Sequence, residues 1–187
     1  MPLRLNIVIA STRPGRVGPS VAHWMDNYAR QEGSFDVHLV DLAEVALPLY
    51  DEPRHPRLQQ YEHAHTRAWS ESVAAADAFV FVTPEYNYGP SPALLNALNY
   101  VYNEWNYKPA AFASYGGISG GMRAVQMTKM TLTTLKMVPI MEGVTIPMVS
   151  EHLSETGFDA KEVHIQSADA MLKELHRWAE ALKPMRG

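Results

Sequence analysis

Ala78-Phe79-Val80-Phe81-Val82-Thr83-Pro84-Glu85-Tyr86-Asn87-Tyr88-Gly89-Pro90-Ser91-Pro92 decides how the rest of the chain is read. Its first five residues are wholly apolar, and Thr83-Pro84 stops them. A short strand with no polar side is buried on both faces, the condition of a parallel sheet covered by helices. Ser91-Pro92 then marks a helix start, a hydroxyl residue at the cap followed by proline in the first turn. Leu94, Leu98, Val101 and Tyr102 supply the apolar stripe of that helix.

The same alternation runs outward in both directions. Leu3–Ala10 is an apolar, β-branched run, and Val17, Val21, Trp24, Met25 and Tyr28 follow at helical spacing. Phe35–Val40 alternates as a strand, with Phe35, Val37 and Leu39 on one face and His38 opposite. A proline-rich stretch (Pro48, Pro53, Pro56) reads as a loop, and about 58–76 as a helix burying Tyr61, Trp69 and Val73. Further on, Ala110–Ala113 is a fourth strand and Gly120 to Met137 a helix, while Val138–Val149 holds a fifth strand interrupted by Pro139 and Pro147. A last helix presents Ala168, Met171, Leu172, Leu175, Trp178, Ala179 and Leu182 on one face. Five strands alternating with five helices predict an α/β fold with a five-stranded parallel sheet. No repeat or linker divides residues 1–187, so one domain is expected.

Composition narrows the function. The 187 residues carry 47% apolar and 19% charged side chains and a net charge of −4. No basic stripe appears, so nucleic acid is not an expected partner. With no cysteine, thiol nucleophiles, dithiol redox and Cys-ligated metals are excluded. Glu62-His63-Ala64-His65 would place its histidines on different helix faces, poor ligand geometry, and no metal site is expected. There is no Gly-x-Ser-x-Gly elbow for a hydrolase. The longest uncharged run, Tyr86 to Asn103, is broken by Gly89, Pro90 and Pro92, so no membrane span is expected. Met1-Pro2-Leu3 enters the first strand without a leader-like segment, which makes a cytoplasmic location the expectation.

In an open parallel sheet, ligands bind beyond the carboxyl ends of the strands, where strand order reverses. Three loops at such ends are unusual. Ser11-Thr12-Arg13-Pro14-Gly15-Arg16-Val17-Gly18-Pro19-Ser20 opens a helix, where free amides and the helix dipole attract phosphate. Ser11, Ser20, Arg13 and Arg16 add donors and charge; otherwise the loop merely turns and its arginines face solvent. In Thr83–Pro92, prolines stiffen the backbone among aromatics, which suits a flat heterocycle and equally suits a packed turn. Ser114-Tyr115-Gly116-Gly117-Ile118-Ser119-Gly120-Gly121 exposes consecutive amides, as an anion nest does and as any tight turn does. From Tyr86 to Met122, 37 residues hold only two charged side chains, Glu104 and Lys108, and six of the nine tyrosines fall between Tyr86 and Tyr115. Such a stretch is buried or meets a second copy, and aromatic enrichment with charge depletion favours a subunit interface. Leu95, Asn99, Tyr100 and Trp105 are then its outward-facing residues.

Taken together, Ser11-Thr12-Arg13-Pro14-Gly15-Arg16, Pro84-Glu85-Tyr86-Asn87-Tyr88-Gly89 with Asn96-Ala97-Leu98, and Tyr115-Gly116-Gly117 with Gly120-Gly121-Met122-Arg123-Ala124 resemble the signature segments of NAD(P)H-dependent FMN reductases. That family includes quinone, azo-dye and chromate reductases. The resemblance spans nearly the whole chain, and Pro-Glu-Tyr-Asn is its most specific piece. It implies a flavodoxin-like three-layer sandwich of strand order 2-1-3-4-5 with non-covalent FMN at the ends of strands one, three and four. It puts the phosphate on Ser11, Arg13, Arg16, Gly18, Pro19 and Ser20. Pro84, Glu85, Tyr86 and Asn87 would line the isoalloxazine, mainly through backbone groups, with Tyr115, Gly116 and Gly117 at its N1–C2=O2 side. NAD(P)H is the implied donor and a quinone, azo compound, metal oxyanion or free flavin the acceptor, with no side chain required as acid or base. A homodimer or dimer of dimers is expected. A flavodoxin-like electron carrier and a flavin-binding sensor are the competing readings, since fold does not fix function.

Overall fold

A computed structural model describes residues 2–186. The strands are β1 (Leu3–Ile9), β2 (Phe35–Asp41), β3 (Ala78–Pro84), β4 (Pro109–Tyr115) and β5 (Val138–Ile146), with a small hairpin of β6 (Leu153–Ser154) and β7 (Gly157–Phe158). The helices are α1 (Gly18–Glu32), α2 (Leu42–Val45), α3 (Ala64–Ala75), α4 (Pro92–Tyr100), α5 (Met122–Thr134) and α6 (Glu162–Leu182). The sheet runs β2-β1-β3-β4-β5 and every pairing in it is parallel, the expected order.

Strand alternation builds the layers. Along β3, Ala78, Val80 and Val82 point to one face while Phe79 and Phe81 point to the other. The first face joins Leu5, Ile7 and Ile9 to Val21 and Met25 of α1 and to Met171, Leu172 and Leu175 of α6. On the second face, Phe79, Phe81 and Phe112 pack on Trp69 and Val73 of α3, Leu94 and Leu98 of α4 and Leu132 of α5. Each fully buried side chain of this size stabilises the fold by roughly 1.5–3 kcal/mol relative to exposure.

Several expectations are corrected. Leu58 closes a separate 3-10 turn (Pro56–Leu58) and residues 59–63 are not helical; α3 starts only at Ala64, and the Glu52 carboxylate accepts the amides of Glu62 and His63 just ahead of it. His63 thus caps α3 with extended backbone, and its ring stacks on that of His65 at 5.1 Å, both beside Asp51. Among the described residues no His, Asp or Glu cluster could hold a metal. Helix α5 begins at Met122 rather than Gly120, because Gly120 and Gly121 adopt φ of +59° and +85°. Pro139 is accommodated within β5, next to a register shift between Ala110 and Phe112, and Pro147 ends the strand. Trp178 lies at the flank of the α6 stripe and is 39% exposed. The α2 turn, capped by the Asp41 side chain, and the β6–β7 hairpin were not anticipated.

The largest correction concerns the charge-poor stretch. Helix α4 ends at Tyr100, Val101 is extended, and a 3-10 turn at Asn103–Trp105 folds Trp105 back under the sheet. Trp105 sits 4.9 Å from Phe79 and 5.9 Å from Trp69, and Tyr100 and Trp105 are both fully buried within the protomer. Tyr100 donates to Pro48 O and Asp51. Charge is missing here largely because the stretch is core. Its two charged residues are both buried: Glu104 accepts from Gln59, Tyr61 and Ser70, and Lys108 donates to Val73 O at 2.7 Å and Ala74 O at 2.9 Å, closing the end of α3.

Burial pushes the Lys108 ammonium down to about 7. Its folded value lies below the unfolded one, so between the two the unfolded chain holds more protons and stability rises with pH. Lys108→Met is expected to flatten the stability curve, wild type minus variant, by up to about 1.4 kcal/mol per pH unit between about pH 7 and 10. Urea unfolding of both proteins across that range checks it; parallel curves would contradict it.

Candidate functional site

Strand order reverses beside β1, and the ends of β1, β3 and β4 bring the three unusual loops side by side. Ala10 N donates to Val82 O, and Glu85 N to Tyr115 O. Ser91 stands at the start of α4, but its hydroxyl donates to Ala10 O at 2.6 Å instead of capping the helix. That bond fixes the second loop to the first.

In the first loop Ser11 is buried and Arg13 exposed, its guanidinium resting on Pro14 O. Arg16 is placed differently from expectation. It forms a two-pronged pair with Asp41 at 2.6 Å and donates to Ser11 O at 2.6 Å. Burial of the Asp41 carboxyl is outweighed by Arg16 and by the Ala43 amide, which together hold it below its ordinary value. Arg16 therefore anchors the loop to the end of β2 and does not offer its fork to a phosphate.

Gly18 and Pro19 open α1, which has no acidic residue in its first turn and no side-chain cap. A Cβ on Gly18 would collide with Ser11 Oγ and lie 2.7 Å from the Tyr115 hydroxyl. Both hydroxyls are buried and neither meets hydrogen-bond geometry with any protein group, although they sit close together. Burial pushes the Tyr115 phenol up to about 12, so it stays a donor at neutral pH. Two buried hydroxyls that lie against each other and reach no other protein group, at the positive end of a helix, are unusual, because buried polar groups are nearly always satisfied. The Tyr115 side chain thus reaches the first loop, whereas the expectation had placed the residue at the far edge of a flat ring.

The second loop is a two-residue hairpin turn. Tyr86 and Gly89 exchange backbone hydrogen bonds at 3.0 and 2.9 Å, and Asn87 and Tyr88 both have positive φ, +50° and +69°. Both residues are exposed at the tip. The Glu85 side chain turns away from the tip toward the third loop, where Ser119 and Arg123 hold it. In the third loop, Gly116 and Gly117 tie back to Met148 and Val149, and a Cβ on Gly117 would meet no atom within 4 Å. Gly121, by contrast, lies against the β4 backbone. Open space therefore adjoins Gly117, on the loop that the Glu85 side chain ties to the hairpin.

A groove of about 240 Å³ flanks the first loop, lined by Thr12, Leu42, Ala43, Ala46, Ala93 and Asn96. A larger groove, about 680 Å³, lies elsewhere, between α1 and the β6–β7 hairpin, and reaches the loops only at Ser20. It lacks the convergent buried donors of the loops, and we place the site at the loops. Asp41, Ser119, Tyr88 and Arg123 belong to its structure, and sequence reasoning assigned them no role. An aspartate ending a strand and an arginine opening a helix were the available signals.

Residues 3–151 match the NADPH-dependent FMN reductase family. The chain is 38% identical over 147 residues to an NAD(P)H-dependent FMN reductase of Schizosaccharomyces pombe, covering 77% of this chain and 74% of that protein. It is 33% identical over 129 residues to an NADPH azoreductase of a Bacillus species, covering 68% of this chain and 70% of that protein. Among solved structures, it resembles a flavoenzyme NAD(P)H:(acceptor) oxidoreductase of Paracoccus denitrificans, with a TM-score of 0.76, 22% identity, and coverage of 96% of this chain and 98% of that one. That likeness speaks for the flavodoxin-like fold.

Proposed function

The chain belongs to the NADPH-dependent FMN reductase family, and from that premise we propose that it binds one FMN across the three loops and passes two electrons from NADPH or NADH to a small-molecule acceptor. A quinone, an azo compound, a metal oxyanion and free flavin are the acceptor classes that fit. The observation that carries the reading is the pair of buried, unpartnered hydroxyls of Ser11 and Tyr115 beneath the start of α1.

A phosphate monoester would satisfy both hydroxyls at once and gain the helix dipole. Ser11, Tyr115, Gly18, Pro19 and Ser20 form this cradle, and Arg13, exposed beside it, can swing over the anion. Arg16 keeps the loop in shape through Asp41. Pro84, Glu85, Tyr86 and Asn87 would border the ring through their backbone, opposite Gly116 and Gly117. When bound, FMN supplies hydride acceptance from a nicotinamide and delivery of two electrons to the second substrate. The Gly116 amide is committed to Ile146 O, so the Gly117 amide is the one of the pair that would favour negative charge at the pyrimidine edge. Glu85 is committed to Arg123 and Tyr115 keeps its proton, so neither serves as a base and no catalytic side chain is assigned.

No described helix is long and apolar enough to cross a membrane, and a cytoplasmic location is part of the reading. We treat residues 1–187 as one functional domain, because α6, beyond the family match, packs on β5 and β4. Pairing of two copies is supported by the exposed side chains of Tyr88, Ile118 and Met122 on the second loop, the third loop and the start of α5, and not by the buried Tyr100 and Trp105. Sedimentation of the native protein reads that state directly.

The phosphate cradle predicts that FMN binds more tightly than riboflavin. Arg13→Ala should weaken FMN by about 1.5–3 kcal/mol, the worth of a charge-assisted bond, and leave riboflavin unchanged. Fluorescence titration of both flavins checks it; equal affinities in the native protein would contradict the assignment.

A further inference from the structure

Glu85 stands where β3 has just ended, and its side chain is only 7% exposed. A nearly dry carboxylate needs partners, and all of these come from the third loop and the first turn of α5. One oxygen accepts from the Ser119 hydroxyl at 2.9 Å and from the Arg123 backbone amide at 3.2 Å. The other accepts from Arg123 Nε at 2.7 Å and pairs with Arg123 Nη2 at 2.5 Å. Burial opposes the charge, but Arg123 and Ser119 outweigh it and hold the carboxyl below its ordinary value.

The arrangement has a local logic. Gly121 caps α5 and has no side chain to give, so a carboxylate from a different loop serves the open amides at that end. The same guanidinium lies 3.7 Å from the centre of the Tyr88 ring, at the hairpin tip. The second loop therefore reaches the third by two routes, the Glu85 carboxylate and the Tyr88 ring, and both meet on Arg123.

We propose that Glu85, Ser119 and Arg123 are positioning residues that set the spacing of the second and third loops and so govern how tightly the flavin ring is held. The inference rests on the flavin reading above and concerns the ring end of the site, not the phosphate end. Glu85 and Arg123 are neutral as a pair, so removing either one leaves the other's charge between the loops.

The test uses the full-length protein as Glu85→Gln, Arg123→Met, the double variant and Arg123→Lys. FMN and riboflavin affinities are titrated, and the midpoint potential of bound FMN is measured. Each single change is expected to weaken both flavins by the same factor, about tenfold, leaving the FMN-to-riboflavin ratio native. A loss at the phosphate cradle would change that ratio. The potential should rise in Glu85→Gln, where a lone cation favours the reduced anion, and fall in Arg123→Met. It should return toward native in the double variant. Arg123→Lys keeps the charge without the fork, so it should retain the potential while losing affinity.

Potentials that move in the same direction in both single variants, or variants that bind both flavins as tightly as the native protein, overturn the inference. A native protein that takes up neither flavin overturns the functional reading as well, which separates the two failures.

Discussion

Trp105→Ala should lower the unfolding free energy by about 3–5 kcal/mol, the range for emptying a fully buried aromatic site. The indole is enclosed by Phe79, Trp69 and Phe81, and its N–H donates to Leu98 O at 3.2 Å. The truncation leaves both a cavity and an unpaired carbonyl. Because the site is internal to one protomer, the loss should be the same at every protein concentration. An interface residue would instead give a loss that changes with concentration, since association then contributes to stability. Urea unfolding at widely different concentrations distinguishes the two.

Gly121→Ala should cost about 2–5 kcal/mol, combining a left-handed backbone with a collision. At φ +85°, an added Cβ would lie 2.9 Å from Ser114 Cβ and from Tyr115 N, and 3.0 Å from Tyr115 O. Two of these atoms are backbone of β4, paired to β3 and β5, and cannot yield cheaply. The melting temperature should fall by roughly 5–15 °C for a domain of this size. Flavin affinity should fall with it, because the glycine loop must move off the strand. A variant with native stability would mean that the loop does not pack as described.

The sheet was legible because its central strands are largely apolar on both sides, as Ala78–Val82 shows, and only helices on both faces can cover such strands. The loops were legible as places, since each follows a buried strand and opens a helix. Side-chain direction was not. Arg16 looked like a phosphate ligand because nothing in its neighbourhood of sequence reveals that Asp41, at the end of the adjacent strand, lies within its reach. Tyr115 belongs to the third loop by position, yet its ring crosses to the first loop. Trp105 was misplaced by extending the α4 periodicity past Tyr100, where the chain breaks and folds back, and Tyr100 because the distant segment carrying Pro48 and Asp51 covers it. Depletion of charge reads the same whether an aromatic stretch lies inside one subunit or between two. The clamp on Glu85 depends on contacts 34 and 38 residues apart, which periodicity does not reach.

The most direct test of the account is anaerobic titration of the FMN-loaded native protein with NADPH and with NADH, followed by flavin absorbance. One FMN per chain should bleach rapidly with at least one of the two donors, and the colour should return when a quinone is added. A protein that takes up FMN but is not reduced by either donor would be a carrier or a sensor, and that result would contradict the reductase assignment.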